Sequence, residues 1–307
     1  MNKIIKVSDV KIVPVPFEAH GEAGLMYRVK LKASIDTDGI YDWFKRDEKD
    51  KVTIIRQNTQ SQNALEKNDA FVEYLKTKYN RATTQDERDK IRQQMNEADR
   101  DFLANQKNDA GTKLAYYGDY NGAIRLYNEA LQLKPNFADA YSNRGNAYND
   151  LKQHERAIQD FDRAIQLDPN HATAYLSRGN SYTDLKQHER AIADYNKALQ
   201  LKPNFADTYS NRGTVYADLE QYERAIQDYN RAIQLDPNFA DAYHDRGVTY
   251  AARGNFKQAI TDADKAIELN PNHAKTYKFR GYCHQQLGDE AKAQADFAKA
   301  KQLGYNG

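Results

Sequence analysis

The chain has 307 residues with 45 Lys and Arg against 44 Asp and Glu, so a formal charge of +1 gives no reason to expect nucleic acid or another polyanion as partner. A hydrophobic fraction of 40% with a mean hydropathy of −0.95 is low for one large globular core and suits a thin, elongated array. The single cysteine, Cys283, excludes an intramolecular disulfide and a cysteine-rich metal site. No stretch nears the ~18 apolar residues of a membrane span, and charge interrupts the first residues too soon for a secretory signal, so membrane insertion is not expected and the cytoplasm is the default location.

In chain order, residues 11–15 and 25–35 alternate or run rich in β-formers, with Gly21 and Gly24 between them, and predict a strand pair. Two or three strands cannot cover both faces, so residues 1–58 read as a β-containing segment of a truncated or partner-completed domain. Residues 59–103 read as a helical connector and N-terminal cap. Ala64, Leu65, Phe71, Val72 and Leu75 make an amphipathic helix over 61–80, and a charged helix with sparse apolar places (Ile91, Met95, Phe102, Leu103) runs from Thr84 to about Gln106. Thr84-Gln85-Asp86-Glu87 is a capping box at its start. This second helix is expected to lid the exposed end of the periodic region that begins at residue 104; a coiled-coil arm for dimerisation is the alternative.

From residue 104 the chain is periodic. Gly111, Gly145, Gly179, Gly213, Gly247 and Gly281 stand 34 residues apart, and Pro135, Pro169, Pro203, Pro237 and Pro271 keep the same period, each closing an apolar-periodic stretch that proline cannot continue as helix. Two alanine series, Ala123 to Ala293 and Ala130 to Ala300, mark places where helices approach closely. Tyr141, Gly145 and Tyr148 share one face of a first helix, and Ala157, Phe161 and Ala164 one face of a second. Neither helix buries its stripe alone, so neighbouring units must stack. The units are 104–137, 138–171, 172–205, 206–239, 240–273 and 274–307.

An aromatic, Gly, Tyr, two Ala and Pro at these offsets, in the units starting at Ala138, Ala172, Ala206 and Ala240, resemble the tetratricopeptide repeat. The unit starting at Ala274 lacks the proline, and the first has Lys107 for the aromatic and Leu114 for Tyr, as expected of terminal units. The resemblance implies a mostly α fold, a right-handed α-solenoid of antiparallel helix pairs, here preceded by a small α+β N-terminal segment. Residues 27–40 are similar to the end of small αβ domains that precede repeats in some exported bacterial proteins; if the N-terminus is truncated, that implies a cell-envelope or exported location.

Where the family usually has leucine before the glycine, this chain has Arg144, Arg178, Arg212, Arg246 and Arg280, and sixteen residues later Asp160, Asp194, Asp228, Asp262 and Asp296. The first unit lacks both residues (Ala110, Leu126), which predicts a ladder of Arg–Asp pairs across each hairpin. Five equal copies point to scaffold and away from a catalytic acid or phosphate clamp.

The resemblance also implies that first helices line an inner groove. There stand Asn143, Asn146, Asn149, Asn180 and Asn211 with Ser142, Ser177, Ser210, Thr173, Thr183 and Thr214, which suit hydrogen bonding to an extended peptide; a merely solvated face is the alternative. Asp139, Asp207, Asp241 and Asp245 make the middle acidic, His244 also lines the groove, and Lys275 and Lys278 make the last unit basic, favouring a basic or neutral segment. The carboxylate clamp of heat-shock co-chaperones is matched at only one of five places (Ser142, Asn146, Ser177, Asp207, Asn211). The asparagine ladder of the O-linked N-acetylglucosamine transferase is matched at Asn143 and Asn211, but not at Asp109, Ser177, Asp245 and Phe279. His154 and His188, one period apart, cannot share an ion; with Tyr222 and Phe256 they read as rings packing the hairpin turn. The expected function is a non-catalytic scaffold holding a protein or peptide, with no cofactor or metal. The alternative is a homo-oligomer assembling through repeat ends or groove.

Overall fold

The computed structural model of the chain describes residues 10–19, 22–31 and 72–305. The chain divides into two compact units, Met1–Glu73 and Tyr74–Gly307, and each is described by itself. In the first, β1 (Val10–Ala19) and β2 (Glu22–Leu31) pair antiparallel, with Val10 opposite Leu31 and Ala19 opposite Glu22. Pro14 and Pro16, two residues apart, withdraw their N–H donors from one edge only, and each strand of a two-stranded ladder has one edge to spare. The end of the expected second strand and most of the helix expected over 61–80 lie outside the described residues.

In the second unit, α1 (Gln85–Tyr116) and α2 (Tyr120–Leu133) are followed by five more helix pairs. These are α3 (Ala138–Asp150) with α4 (His154–Leu167), α5 (Ala172–Asp184) with α6 (His188–Leu201), and α7 (Ala206–Asp218) with α8 (Tyr222–Leu235). The last two are α9 (Ala240–Ala252) with α10 (Phe256–Leu269) and α11 (Ala274–Gln286) with α12 (Glu290–Gln302). They form a right-handed α-solenoid. Thr84 closes the capping box with Glu87 at the start of α1.

The 32 residues of α1 depart from the sequence expectation, because the charged helix and the first helix of the first repeat are one element. No proline interrupts residues 85–116, so helix propagates through the expected boundary at 103/104, and the charged half is not a separate lid. Helical residues 72–81 accompany its start: Arg92 donates to the Tyr79 hydroxyl at 2.7 Å and covers its ring, and Arg88 donates to the Ala82 carbonyl.

Inside a repeat the core is a glycine on the first helix closing on a ring from the second. A Cβ at Gly179 would lie 2.6 Å from the Tyr195 ring, and Gly145 and Gly281 stand in the same relation to Phe161 and Phe297. The fifth repeat departs from this plan. Ala263 stands where the ring should be, and the ring against Gly247 is Phe279 of the following repeat. The turn between the two helices requires one residue at positive φ. Gly118, Gly254 and Gly288 serve it in three repeats, whereas Lys152, Lys186 and Glu220, at φ 60°, 58° and 58°, serve it in the others.

Between repeats, Ala140 packs on Ala130 and Leu131, and Ala147 on Tyr127 with Ile124 beside it. The corresponding outward places are Gln106 and Lys113 in the first repeat and Gln294 and Lys301 in the sixth, all four exposed. Both ends of the array are therefore solvated by substitution at the places that elsewhere stack.

Candidate functional site

The arginine series forms a spine. Arg144, Arg178, Arg212, Arg246 and Arg280 donate Nε and Nη2 to the two carboxylate oxygens of Asp160, Asp194, Asp228, Asp262 and Asp296 at 2.6–2.8 Å. These aspartates are only 2–6% exposed. Each arginine also donates Nη1 back into the preceding repeat, to Asn128, Asp162, Asn196, Asn230 and Asp264, at 2.5–2.6 Å. Its guanidinium lies over the tyrosine three residues before it, 5.3–5.6 Å from the ring centre. Burial opposes the charge of Arg178, yet the carboxylates of Asp194 and Asp162 hold its proton above the ordinary value.

This second acceptor was missed in the sequence, although Asn or Asp recurs there every 34 residues. The first repeat has Ala110 at the arginine place, and the sixth has Ala298 at the acceptor place.

Several residues expected to line the groove bind one another across repeats. Asn143 donates Nδ2 to Asn108 at 3.0 Å, and Asn211 donates to Oδ1 of Asn180 at 2.9 Å, an oxygen that also accepts the Tyr195 hydroxyl at 2.8 Å. Asn149 accepts from Ser181 and lies 3.2 Å from His154 Nδ1. Asn146, Asp207, Asp241, Lys275 and Lys278 are exposed. Ser142 and Ser210 are instead buried at 4% exposure, a correction to the groove reading. Each stands three residues before a glycine of the helix contact and shares its buried face. Asp139, also expected on the groove, is engaged by His171 at 3.2 Å.

The last two repeats carry different chemistry. On α9, Asp241, His244, Asp245 and Val248 form one stripe; on α11, Lys275, Lys278, Phe279 and Tyr282 form the corresponding one. The His244 ring meets His273 and Phe279 edge-on at 5.4 and 5.5 Å, and Thr276 Oγ1 lies 3.0 Å from its Nδ1. Burial, then the neighbouring His273, pushes His244 down to about 4, so the ring is neutral. Burial and then Asp241 push Asp245 up to about 6, and the Asp245 carboxylate has no hydrogen bond or ion pair among the described residues. Lys278 is engaged with Tyr305, donating to its hydroxyl at 3.1 Å and lying over its ring. Val248 and Tyr282 are 42% and 47% exposed, at the place held by Asn146, Asn180 and Thr214 in the preceding repeats.

The turn residue His154 approaches Asp184 of the next repeat at 3.6 Å, so its place joins repeats as well as packing the turn. Cys283 is fully buried, and burial pushes its thiol up to about 11.

Family sequence patterns described as TPR repeat match residues 111–151, 179–220 and 213–252, and those described as tetratricopeptide repeat match 138–171 and 240–273, together about half of the chain. No curated protein matches. Among solved structures, MamA is 30% identical over 54% of this chain and 96% of its own, with a TM-score of 0.48. YrrB, described as a TPR protein with an unusual peptide-binding site, is 28% identical over 58% of this chain and 92% of its own, with a TM-score of 0.47. PilW, a type IV pilus biogenesis factor, is 21% identical over 65% of this chain and 93% of its own, and its TM-score of 0.61 is a likeness of fold. No helix among the described residues is long and apolar enough to cross a membrane. The 34-residue period, the paired helices and the family patterns lead to one conclusion: the chain belongs to the tetratricopeptide repeat family, whose members are in general non-catalytic scaffolds for protein interaction.

Proposed function

We propose that the chain binds an extended protein segment along the first-helix face of its repeats. The observation that carries this reading is the set Asn143, Asn180 and Asn211. Hydrogen bonds between repeats fix each amide, yet Oδ1 of Asn143 and Asn211 and Nδ2 of Asn180 are left for a ligand. A peptide backbone offers both a donor and an acceptor at nearly every residue, and side chains already held in place lose little freedom on binding it. Asn146 adds an exposed amide. Asp207, Asp241 and Asp245 favour a basic or neutral segment, and they stand against a carboxylate clamp, which would need cations at such places.

The second reading, self-assembly, divides in two. Stacking end to end is opposed by Gln106, Lys113, Gln294 and Lys301, because burying four unpaired polar side chains costs more than the contact returns. Association through the groove is the form of that reading the surface permits. The test is capture of a partner by the full chain. Alanine at Asn143, Asn146, Asn180 and Asn211 together is expected to abolish capture while the chain stays helical at the temperature of the assay, with a lower melting temperature because hydrogen bonds between repeats are removed. A partner retained by that variant would count against groove binding.

A further inference from the structure

We infer that the fifth and sixth repeats form an anchor site for one large apolar side chain of the bound segment, with a neighbouring lysine or arginine held by Asp241 and Asp245. This deepens the groove reading and rests on it.

The apolar part is a local exception to a polar face. The place held by Asn146, Asn180 and Thr214 becomes Val248 and then Tyr282, both more than two-fifths exposed. Val248 is exposed although another repeat follows it, so exposure there is not an end effect. Phe279 supplies the floor. Val248 and Phe279 occupy the pair of places that Asn180 and Asn211 hold two repeats earlier, where the two side chains are in direct contact. Tyr282 lies one turn beyond Phe279 on the same helix face, and its ring meets Phe256 at 6.2 Å. The reason an aromatic can stand on this face is Ala263: with no ring of its own against Gly247, the fifth repeat takes Phe279 from its neighbour.

The charged part lies one turn before Val248. Asp241 and Asp245 are adjacent on the α9 stripe, and neither has an ion pair among the described residues. The nearby basic groups form no ion pair with them: Lys275 is exposed, Lys278 donates to the Tyr305 hydroxyl, and His244 is neutral. Two carboxylates without an ion pair beside an exposed apolar surface match a cation and a large apolar side chain close together in a peptide. An apolar residue alone would leave the carboxylates unpaired.

Three short fluorescein-labelled peptides in a Gly, Ser and Thr background test this on the full chain by anisotropy. One carries Lys and Trp two residues apart, one Lys only, and one Trp only. The Lys–Trp probe is expected to bind at least about tenfold more tightly than either single-residue probe. Val248→Asn with Tyr282→Asn is expected to remove the Trp contribution, and Asp245→Asn the Lys contribution. Asparagine is already the residue at that place in the second and third repeats, so the double variant is expected to keep its melt. Equal affinity for the three probes, or a preference unchanged in V248N/Y282N, overturns the anchor. If probe binding ignores these variants but is lost on substituting Asn143, Asn146 and Asn211, the groove reading stands and the anchor falls. A concentration-dependent dimer of the free chain that V248N/Y282N dissolves assigns the surface to a second copy and also overturns the proposal.

Discussion

In the third repeat Tyr195 closes against Gly179, its hydroxyl reaches Asn180, and Asn180 accepts from Asn211 of the next repeat. In the fifth, Ala263 leaves that space, Phe279 crosses from the sixth repeat to fill it, and the places of Asn180 and Asn211 become Val248 and Phe279. The spine is the same in both: Arg178 and Arg246 each hold an aspartate of their own repeat and an acceptor in the one before. Where the second helix of the fifth repeat carries Ala263, the ring against Gly247 comes from the first helix of the sixth repeat, and the first-helix face changes from amides to Val248 and Phe279 while the arginine–aspartate pairs do not change.

The largest expected effect lies in the spine. Asp262→Ala should cost about 3–5 kcal/mol, because it leaves the largely buried Arg246 guanidinium with only the neutral Asn230, and Asp194→Ala should cost less, because Arg178 keeps the Asp162 carboxylate. Chemical denaturation would show it, and losses below about 1 kcal/mol in both would mean that solvent screens the spine. Removing the second acceptor with Asn196→Ala or Asn230→Ala should cost less, about 1–3 kcal/mol.

The glycines should separate the repeats. A methyl at Gly179 meets the buried Tyr195 ring at 2.6 Å, whereas at Gly247 the nearest atoms are at 3.2 Å, so Gly179→Ala should cost about 1–3 kcal/mol and Gly247→Ala less. Ala263→Tyr alone should crowd Phe279 and destabilise. Combined with Phe279→Asn it restores the glycine–ring contact of the third repeat, and the double variant should recover at least about 1 kcal/mol of the loss.

Acid titration offers a third comparison, since the fifth repeat holds two groups that pull in opposite directions. Asp245 keeps its proton to about 6 in the folded chain against an ordinary 3.8, so the stability it contributes is present at low pH and lost as pH rises from about 4 to 6. His244 is depressed to about 4 from an ordinary 6.5, so its contribution is present above that value and lost as pH falls towards 4. In the native chain the two trends largely offset each other. Asp245→Asn should expose the histidine's slope as a melting temperature that falls on acidification, and His244→Phe should give the reverse. Equal profiles for both variants would show that neither group is perturbed.

The smallest effect concerns the turn. Lys186→Gly in the third repeat should stabilise by about 1 kcal/mol by relieving a side chain held at φ 58°, partly offset by the greater freedom of glycine when unfolded. Gly254→Lys in the fifth should destabilise by a similar amount, and paired thermal melts would decide.

Much of this was legible in the residues alone. Periodicity depends only on sequence distance, so the 34-residue period, the capping box at Thr84 and the partnership of Arg178 with Asp194 could be read from spacing and joint absence. Lys152, Lys186 and Glu220 hid the turn, because the usual glycine signal for positive φ is missing in half of the repeats. The substitution at Ala263 was visible, but its consequence was not, since the residue that answers it comes from the next repeat.

The sequence by itself determined the fold: a 34-residue period of small, aromatic and proline places leaves stacked helix pairs as the arrangement that buries each stripe. Only the tertiary structure decided which polar residues are available. Asn143, Asn149, Asn180 and Asn211 look alike on a helix face, yet hydrogen bonds to neighbouring repeats occupy each to a different degree. It also decided that each arginine joins two repeats and that α1 is continuous. The reason is common to all three: these contacts join side chains from different repeats or extend beyond one period, and a pattern read one period at a time holds no record of what lies across the boundary.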